Sequence, residues 1–300
     1  MLNSASGIAV LSRITALRIP DTQVITPSPL TRNSDPGAEA PVSVFSIVAF
    51  GVRIQFRVPN ALLDTLPAPI IPGAEFDDRG PADAVFSVQR KRTSQGIPVY
   101  ELAQNGTVIG GECSLEPTAR ALESCAQLTV ATLAKDSVFV HAGTVGWQGK
   151  AIVMPGRSFS GKSTLTMAMV RAGAQYYSDE YAIFDREGRV HPYWRIPRFR
   201  EDSGRKVASR LLGDVLDRLP PVPIPLGWVL LSRYQTGIDW QPRRLTPGET
   251  LLGLLDNTVA LRRQPEHSIK TLARAIAKAE GFQGLRGEAA DLVRKALAQR

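Results

Sequence analysis

The apolar positions of this chain change their period along its length. In VSVFSIVAFGVRIQFRV, which starts at residue 42, Val52, Ile54, Phe56 and Val58 alternate with Arg53, Gln55 and Arg57. A period of two predicts a half-buried strand. PVYELAQNGTVIGGE holds Asn105-Gly106 between two short apolar runs, the strongest short-range hairpin signal. The period then lengthens. In PTARALESCAQLTVATLAKD, Leu122, Cys125, Thr129 and Leu133 fall on one side of a predicted helix. Residues 42–135 therefore read as a small α+β module. Residues 1–41 lack such a pattern, and TPSPLTRNSDPGAEAP is rich in Pro, Ser, Asn, Gly and Asp, which predicts a weakly ordered lead-in.

Residues 136–300 form a denser block. SVFVHAGTVGWQGKAIVMPG predicts a strand, a Gln148-Gly149 turn and a second strand. KSTLTMAMVRAG predicts a helix with Leu165, Ala168, Met169 and Ala172 on one side and Gly173 as its stop. AQYYSDEYAIFDREGRVHPYWR reads as a strand, an acidic pair, a further strand and a turn at Arg186-Glu187-Gly188. PPVPIP at 220–225 is a stiff connector, and LGWVLLSRY is one more strand. Thr246-Pro247-Gly248-Glu249 is a capping box with Pro at the first helical position. From there the chain reads as helical to its end, with two further helices around 268–279 and 287–298. Alternating strands and helices predict an α/β fold with a helical C-terminal tail.

Composition narrows the function classes. The chain has 300 residues, 43% of them hydrophobic and 21% charged, ordinary values for a globular chain with a buried core. No apolar run reaches the roughly 18 residues that a spanning helix needs, so no membrane partner is expected. The net charge of +8 raises the odds of a phosphorylated partner, a nucleic acid or a membrane surface. Arg195, Arg198, Arg200, Arg205, Lys206 and Arg210 crowd one stretch, which is either a solvated face or a rim that attracts nucleotide or acidic substrate. Nucleic acid is not expected, because aromatic residues are not interleaved with the basic ones. Cys113 and Cys125 make neither a disulfide framework nor a zinc spacing, and both read as small inert core residues of a cytoplasmic protein. The N-terminus has no charged segment ahead of its apolar stretch, which Arg13 interrupts, so it is a poor secretory signal; a transit peptide is the open alternative.

The candidate chemistry lies at AIVMPGRSFSGKSTL. Gly156, then four residues, then Gly161-Lys162-Ser163 is the spacing of a phosphate-binding loop, with a predicted strand before it and a helix after it. Backbone N–H groups of Gly156, Arg157, Ser158, Phe159, Ser160, Gly161, Lys162, Ser163 and Thr164 would curl around phosphate oxygens, aided by the positive end of the helix. Lys162 would reach the β- and γ-phosphates, and Ser163 would place its hydroxyl on Mg2+. Phe159, at the crest, either covers the phosphates or packs. One helix and one strand later, Ser178-Asp179-Glu180 supplies carboxylates on a strand expected to pair beside the loop strand. Asp179 is placed to take a proton from an attacking hydroxyl and to share in holding the metal. Glu180 would point to the opposite side if the strand continued. Ser163, Asp179 and Glu180 are the candidate metal ligands. His141 is either a satisfied strand histidine or a group beside the phosphates.

VHAGTVGWQGKAIVMPGRSFSGKSTL followed by YYSDEYAIF resembles the HPr kinase/phosphorylase family, and within it the HPr-kinase-like serine kinases, some of which act on lasso-peptide precursors. The resemblance is clear over about residues 138–190. It implies a phosphoenolpyruvate carboxykinase-like core in which a hairpin-fed phosphate loop meets an acidic pair one helix later. It further implies ATP on the loop, Lys162 on phosphate, Ser163 on Mg2+, Asp179 as general base and His141 as the family's histidine ahead of the loop. The chain departs from the pattern at Glu180, where Asp is common, and lacks an Glu-Ile-Arg-Gly signature after residue 190, which points away from HPr itself and from a reverse phosphorylase reaction. The expectation is an ATP- and Mg2+-dependent kinase acting on a serine of a peptide or protein, as a monomer or a homo-oligomer. A small-metabolite hydroxyl kinase and a nucleotide-sensing binding protein are the alternatives.

Overall fold

A computed structural model describes residues 41–66, 70–156, 160–194 and 222–298. The lead-in before residue 41, the loop crest Arg157-Ser158-Phe159, the basic cluster from Arg195 to Arg210 and the first two prolines of the connector lie outside the described residues. The chain is mixed α/β and divides into two compact units between Leu133 and Ala134.

The first unit holds β1 (Val42–Ala49), β2 (Val52–Pro59), α1 (Asn60–Leu63), β3 (Glu75–Phe76), β4 (Ala84–Arg92), β5 (Pro98–Gln104), β6 (Thr107–Val108) and α2 (Leu115–Leu133). Its strands form one six-stranded sheet in the order β3-β1-β2-β4-β5-β6. The alternation read in β2 places Val52, Ile54, Phe56 and Val58 in the core. Phe56 pairs in register with Phe45 on one side and Phe86 on the other, and the three rings stack at 5.2 and 6.0 Å. Asn105 and Gly106 both take positive φ, as the β5–β6 hairpin requires. The buried stripe of α2 runs through Ala119, Leu122, Ala126, Thr129 and Val130, so Cys125 and Leu133 sit at its margin and not at its centre. Gln127, buried there, donates to Glu123 and to the Ile70 carbonyl, which satisfies a polar group that would otherwise cost stability. Cys113 is exposed and Cys125 half-buried, both as free thiols, so neither is the fully buried core residue expected.

The second unit holds β7 (Ser137–Trp147), β8 (Lys150–Pro155), α3 (Lys162–Arg171), β9 (Gln175–Ser178), β10 (Tyr181–Asp185), β11 (Arg189–His191), β12 (Ile224–Tyr234), β13 (Arg243–Leu245), α4 (Pro247–Leu255), α5 (Pro265–Ile276), β14 (Glu280–Arg286) and α6 (Ala289–Ala298). The eight-stranded sheet runs β11-β10-β7-β8-β12-β14-β13, with β9 also paired to β7. β7 and β8 are an antiparallel hairpin turned by Gln148 and Gly149, whereas β8, β12 and β14 are parallel. Alternate residues of the same strands enter two apolar clusters. Val153 and Val229 join Leu254, Leu272 and Ile276 of α4 and α5. Ile152 and Leu230 join Leu165 and Met169 of α3 with Leu292 and Val293 of α6. The sheet is thus covered by helices on both faces. Each fully buried Leu or Met in these clusters stabilises the unit by about 1.5–3 kcal/mol.

Three expectations change here. The C-terminal stretch is not wholly helical, because Glu280–Arg286 adds to β12 as a parallel strand and β13 closes the edge beside it. β9 pairs with β7 and not with the loop strand β8, whose other side is taken by β12. In α3, Ala172 is exposed while Thr166, Met167 and Val170 are buried, because the helix lies between the sheet and α6. The capping box holds: Thr246 accepts from the Glu249 amide and Glu249 from the Thr246 amide.

Candidate functional site

The loop begins where β8 ends. Gly156 donates its amide to the carbonyl of His141, which ties the exit of the loop strand to the neighbouring strand. Gly161 is the residue before α3 and takes φ +81°, a left-handed conformation that disfavours any side chain. As the N-cap, Gly161 supplies no side-chain cap to this helix. An α-helix leaves its first N–H groups without intrahelical partners, and its N-terminus attracts anions. α3 starts close to β7: a Cβ on Gly143 would overlap Thr166 Oγ1 and stand 3.5 Å from the Lys162 carbonyl oxygen. Gly143 lets the helix approach and so sets where Lys162 and Ser163 lie.

The acidic pair is presented by a bend. Ser178 Oγ accepts from the amides of Glu180 and Tyr181 at 3.1 and 3.0 Å, which turns the chain between β9 and β10. Asp179 is almost fully buried, at 4% exposure. Its Oδ2 accepts from Ser163 Oγ at 2.9 Å and its Oδ1 accepts from the hydroxyl of Tyr176 at 3.1 Å. Burial pulls the Lys162 ammonium below its ordinary pKa, while the carboxylates of Glu180 and then Asp179 push it back up. Both acids therefore act on the same lysine. The bend between β9 and β10 breaks the strand at Asp179 and Glu180, so the condition under which Glu180 would point to the opposite side, a strand continuing through it, is not met.

His141 joins the same group. Its Nδ1 lies 3.0 Å from the Glu180 carbonyl oxygen and 3.7 Å from Glu180 Oε1. Since a carbonyl oxygen only accepts, Nδ1 carries the proton. The His141 amide donates to the carbonyl of Asn257, after α4, at 2.8 Å. Lys162, Ser163, Asp179, Glu180 and His141 are thus brought together, with Gly156, Ser160 and Gly161 on the loop; Thr164 is exposed on the first turn of α3. The sequence reading missed three contributors. Tyr176 orients Asp179 and was visible only as the first residue of Tyr-Tyr-Ser-Asp-Glu. Asn257 and Arg286 come from the segment read as plain helix. Arg286 Nη2 donates to the carbonyls of Ser160 and Gly161 at 3.3 and 3.4 Å.

The Ser163 hydroxyl and the Asp179 carboxylate are both oxygen donors, which suits a hard cation. Among the described residues no group of three or more His, Cys, Asp or Glu side chains is placed to hold a metal. Mg2+ fits such a sparse site, since it keeps several waters and is commonly held by one or two protein groups together with substrate phosphates. Beside the end of β8 a groove of about 590 Å³ opens over the ends of β12 and β14, lined by Pro155, Ser232, Arg233, Arg243 and Gln283 among others. The carboxyl ends of parallel strands are where open α/β sheets bind ligands. Among the described residues no helix is long and apolar enough to cross a membrane.

No family model matches the chain, and no curated protein matches it.

Proposed function

We propose that this chain is an ATP- and Mg2+-dependent kinase with a phosphoenolpyruvate carboxykinase-like phosphate-loop core, related in kind to the HPr-kinase-like serine kinases, and that it acts in the cytoplasm on a serine hydroxyl of a peptide or protein. One observation carries the reading: the nearly buried carboxylate of Asp179 accepts a hydrogen bond from Ser163 of the loop motif. A carboxylate there serves Mg2+ in any protein that holds a nucleotide, and in phosphoryl transfer to a hydroxyl it can in addition take the acceptor's proton.

In this mechanism the loop amides and Lys162 hold the β- and γ-phosphates. The acceptor oxygen attacks the γ-phosphorus in line. A new O–P bond forms while the bond to the β,γ-bridging oxygen breaks, and its electron pair leaves with ADP. Asp179 takes the proton of the acceptor hydroxyl. Mg2+, held by Ser163 and Asp179, would supply charge neutralisation at the phosphates. Burial lowers the Lys162 pKa and Glu180 opposes it, favouring the charged ammonium that the phosphates need. His141 holds the backbone of Glu180 and so the bend that presents both acids. Catalysis is then positioning and electrostatic stabilisation in a site already arranged for it.

The test is transfer from γ-labelled ATP to a pool of serine-bearing peptides, read as labelled phosphoserine. Labelled phosphoserine supports the proposal. Tight ATP binding with no transfer to any peptide or small hydroxyl compound would overturn the kinase reading in favour of a nucleotide sensor. Transfer to a small hydroxyl compound alone would overturn the peptide acceptor.

A further inference from the structure

Arg286 is a charged residue in an unusual place. It ends β14, is only 3% exposed, and reaches Ser160 and Gly161 at the end of the loop motif. Nη2 reaches the carbonyl oxygens of Ser160 and Gly161, and Nη1 donates to the Gly287 carbonyl at 3.2 Å. Its guanidinium carbon stands 5.5 Å from the centre of the Tyr234 ring, whose hydroxyl donates to Glu288 at 3.0 Å. Nε is buried without a hydrogen-bond partner. Burial opposes the charged form of this guanidinium, and the Glu288 carboxylate favours it from beyond ion-pair distance. Burying a cation without a paired anion is costly, so the position calls for a reason.

Peptide geometry supplies one. In a trans peptide unit the C=O and the following N–H point in opposite directions. The carbonyls of Ser160 and Gly161 belong to the same planar units as the amides of Gly161 and Lys162. The Gly161 oxygen also accepts from the Leu165 amide at 3.0 Å as the first bond of α3, so the guanidinium adds to that hold and is the side chain that holds the Ser160 oxygen. Fixing the two oxygens toward Arg286 turns the two N–H groups away from it, to the side where the loop would take phosphate. The guanidinium fork suits two neighbouring carbonyls better than the point charge of an ammonium. A Cβ on Gly161 would lie 2.5 Å from Arg286 Nη2, so the glycine is needed for this contact as well as for its positive φ.

We propose that Arg286 is a positioning residue for phosphate binding: it clamps the Ser160 and Gly161 carbonyls so that the Gly161 and Lys162 amides face the nucleotide phosphates, and its charge is compensated when those phosphates arrive. This inference rests on the reading of Gly156–Ser163 as a phosphate loop.

The experiment uses the full chain and MgADP. Isothermal titration compares wild type with Arg286→Lys and Arg286→Met, and NMR follows the amide protons of Gly161 and Lys162. Wild type binds, with both amide protons moving downfield on MgADP. Arg286→Met weakens MgADP binding by about 10–100-fold, the size of a lost charge-assisted hydrogen-bond pair. Arg286→Lys, which keeps charge and fold, binds about 5–10-fold more weakly, with smaller amide shifts. Unchanged affinity and unchanged amide shifts in Arg286→Lys, with wild type binding normally, would overturn the clamp while leaving the nucleotide reading intact. Failure of wild type to bind MgADP would overturn the phosphate-loop reading and this inference together.

Discussion

Ser163, on the first turn of α3, and Asp179, beyond the end of β9, share a hydrogen bond of 2.9 Å across sixteen residues of sequence. The bond joins the two halves of the site. One half is a helix start able to hold phosphate, and the other is a carboxylate able to take a proton. Tyr176 holds the second oxygen of the same carboxylate, so Asp179 is oriented at both ends. A buried group fixed in this way loses little further entropy when substrate arrives.

Asp179→Asn separates binding from chemistry. The amide keeps the volume and can still bond Tyr176 and Ser163, but it cannot accept a proton. Phosphotransfer should fall by about 100-fold or more, within the usual range for general-base loss, while the affinity for ADP without metal changes only a few-fold and the gain in affinity on adding Mg2+ shrinks, since Asp179 also holds the cation. Label transfer and titration calorimetry on the same preparation check this. Transfer at the wild-type rate would remove Asp179 from the base role.

Lys162→Met should abolish transfer and weaken nucleotide binding, and it exposes a pH effect. Burial lowers the Lys162 pKa from its ordinary 10.5. Between the lowered value and 10.5 the unfolded chain binds more protons than the folded one. Stability of the nucleotide-free protein therefore rises with pH across that alkaline window, and Lys162→Met flattens the rise. Bound phosphate favours the charged ammonium, so MgADP binding in this window takes up a proton. Calorimetry in two buffers of different ionisation enthalpy reads that uptake. Equal heats in both buffers would contradict it.

Gly143→Ala tests how closely α3 must approach β7. The new methyl overlaps Thr166 Oγ1, so the helix start shifts, at a cost of about 1–3 kcal/mol. For a chain of this size each kcal/mol lowers Tm by about 2–4 °C. Thr166 Oγ1 is itself buried without a hydrogen-bond partner, so adding Thr166→Ala removes the obstacle and no bond. The double variant should regain most of the lost Tm and the affinity for MgADP. A double variant no better than Gly143→Ala would show that the overlap is not the cause.

Contiguous motifs were legible in the sequence. The glycines, lysine and serine of the loop act within eight neighbouring positions, so their spacing specifies the turn and the helix that follows. The same holds for Thr246 and Glu249, whose capping box closes over one turn, and for Asn105-Gly106 and Gln148-Gly149, whose positive φ angles make hairpins. In β2 the alternation of Val52, Ile54, Phe56 and Val58 carried its burial directly.

The rest depended on partners distant in sequence. EGFQGLR has two glycines and a weak period, and by itself it does not differ much from the helical segments on either side. It is a strand because β12 and β13 offer their backbone groups to it. Cys125 fitted a helical stripe by spacing, yet the sheet beneath α2 covers its neighbours more fully. The side of Glu180 depended on whether the strand continued, and it does not: the Ser178 side chain bends the backbone, and both acids act on the charge of Lys162. Arg286 lies 125 residues beyond the Gly161 that it holds. Sequence by itself determined the spacing from Gly156 to Ser163, the helix that follows it and the acidic pair, because each is made by chain neighbours whose geometry is local. Only the tertiary structure decided which carboxylate meets Ser163, which arginine braces the loop and where β14 joins the sheet, because those contacts exist only once non-local packing has closed the chain on itself.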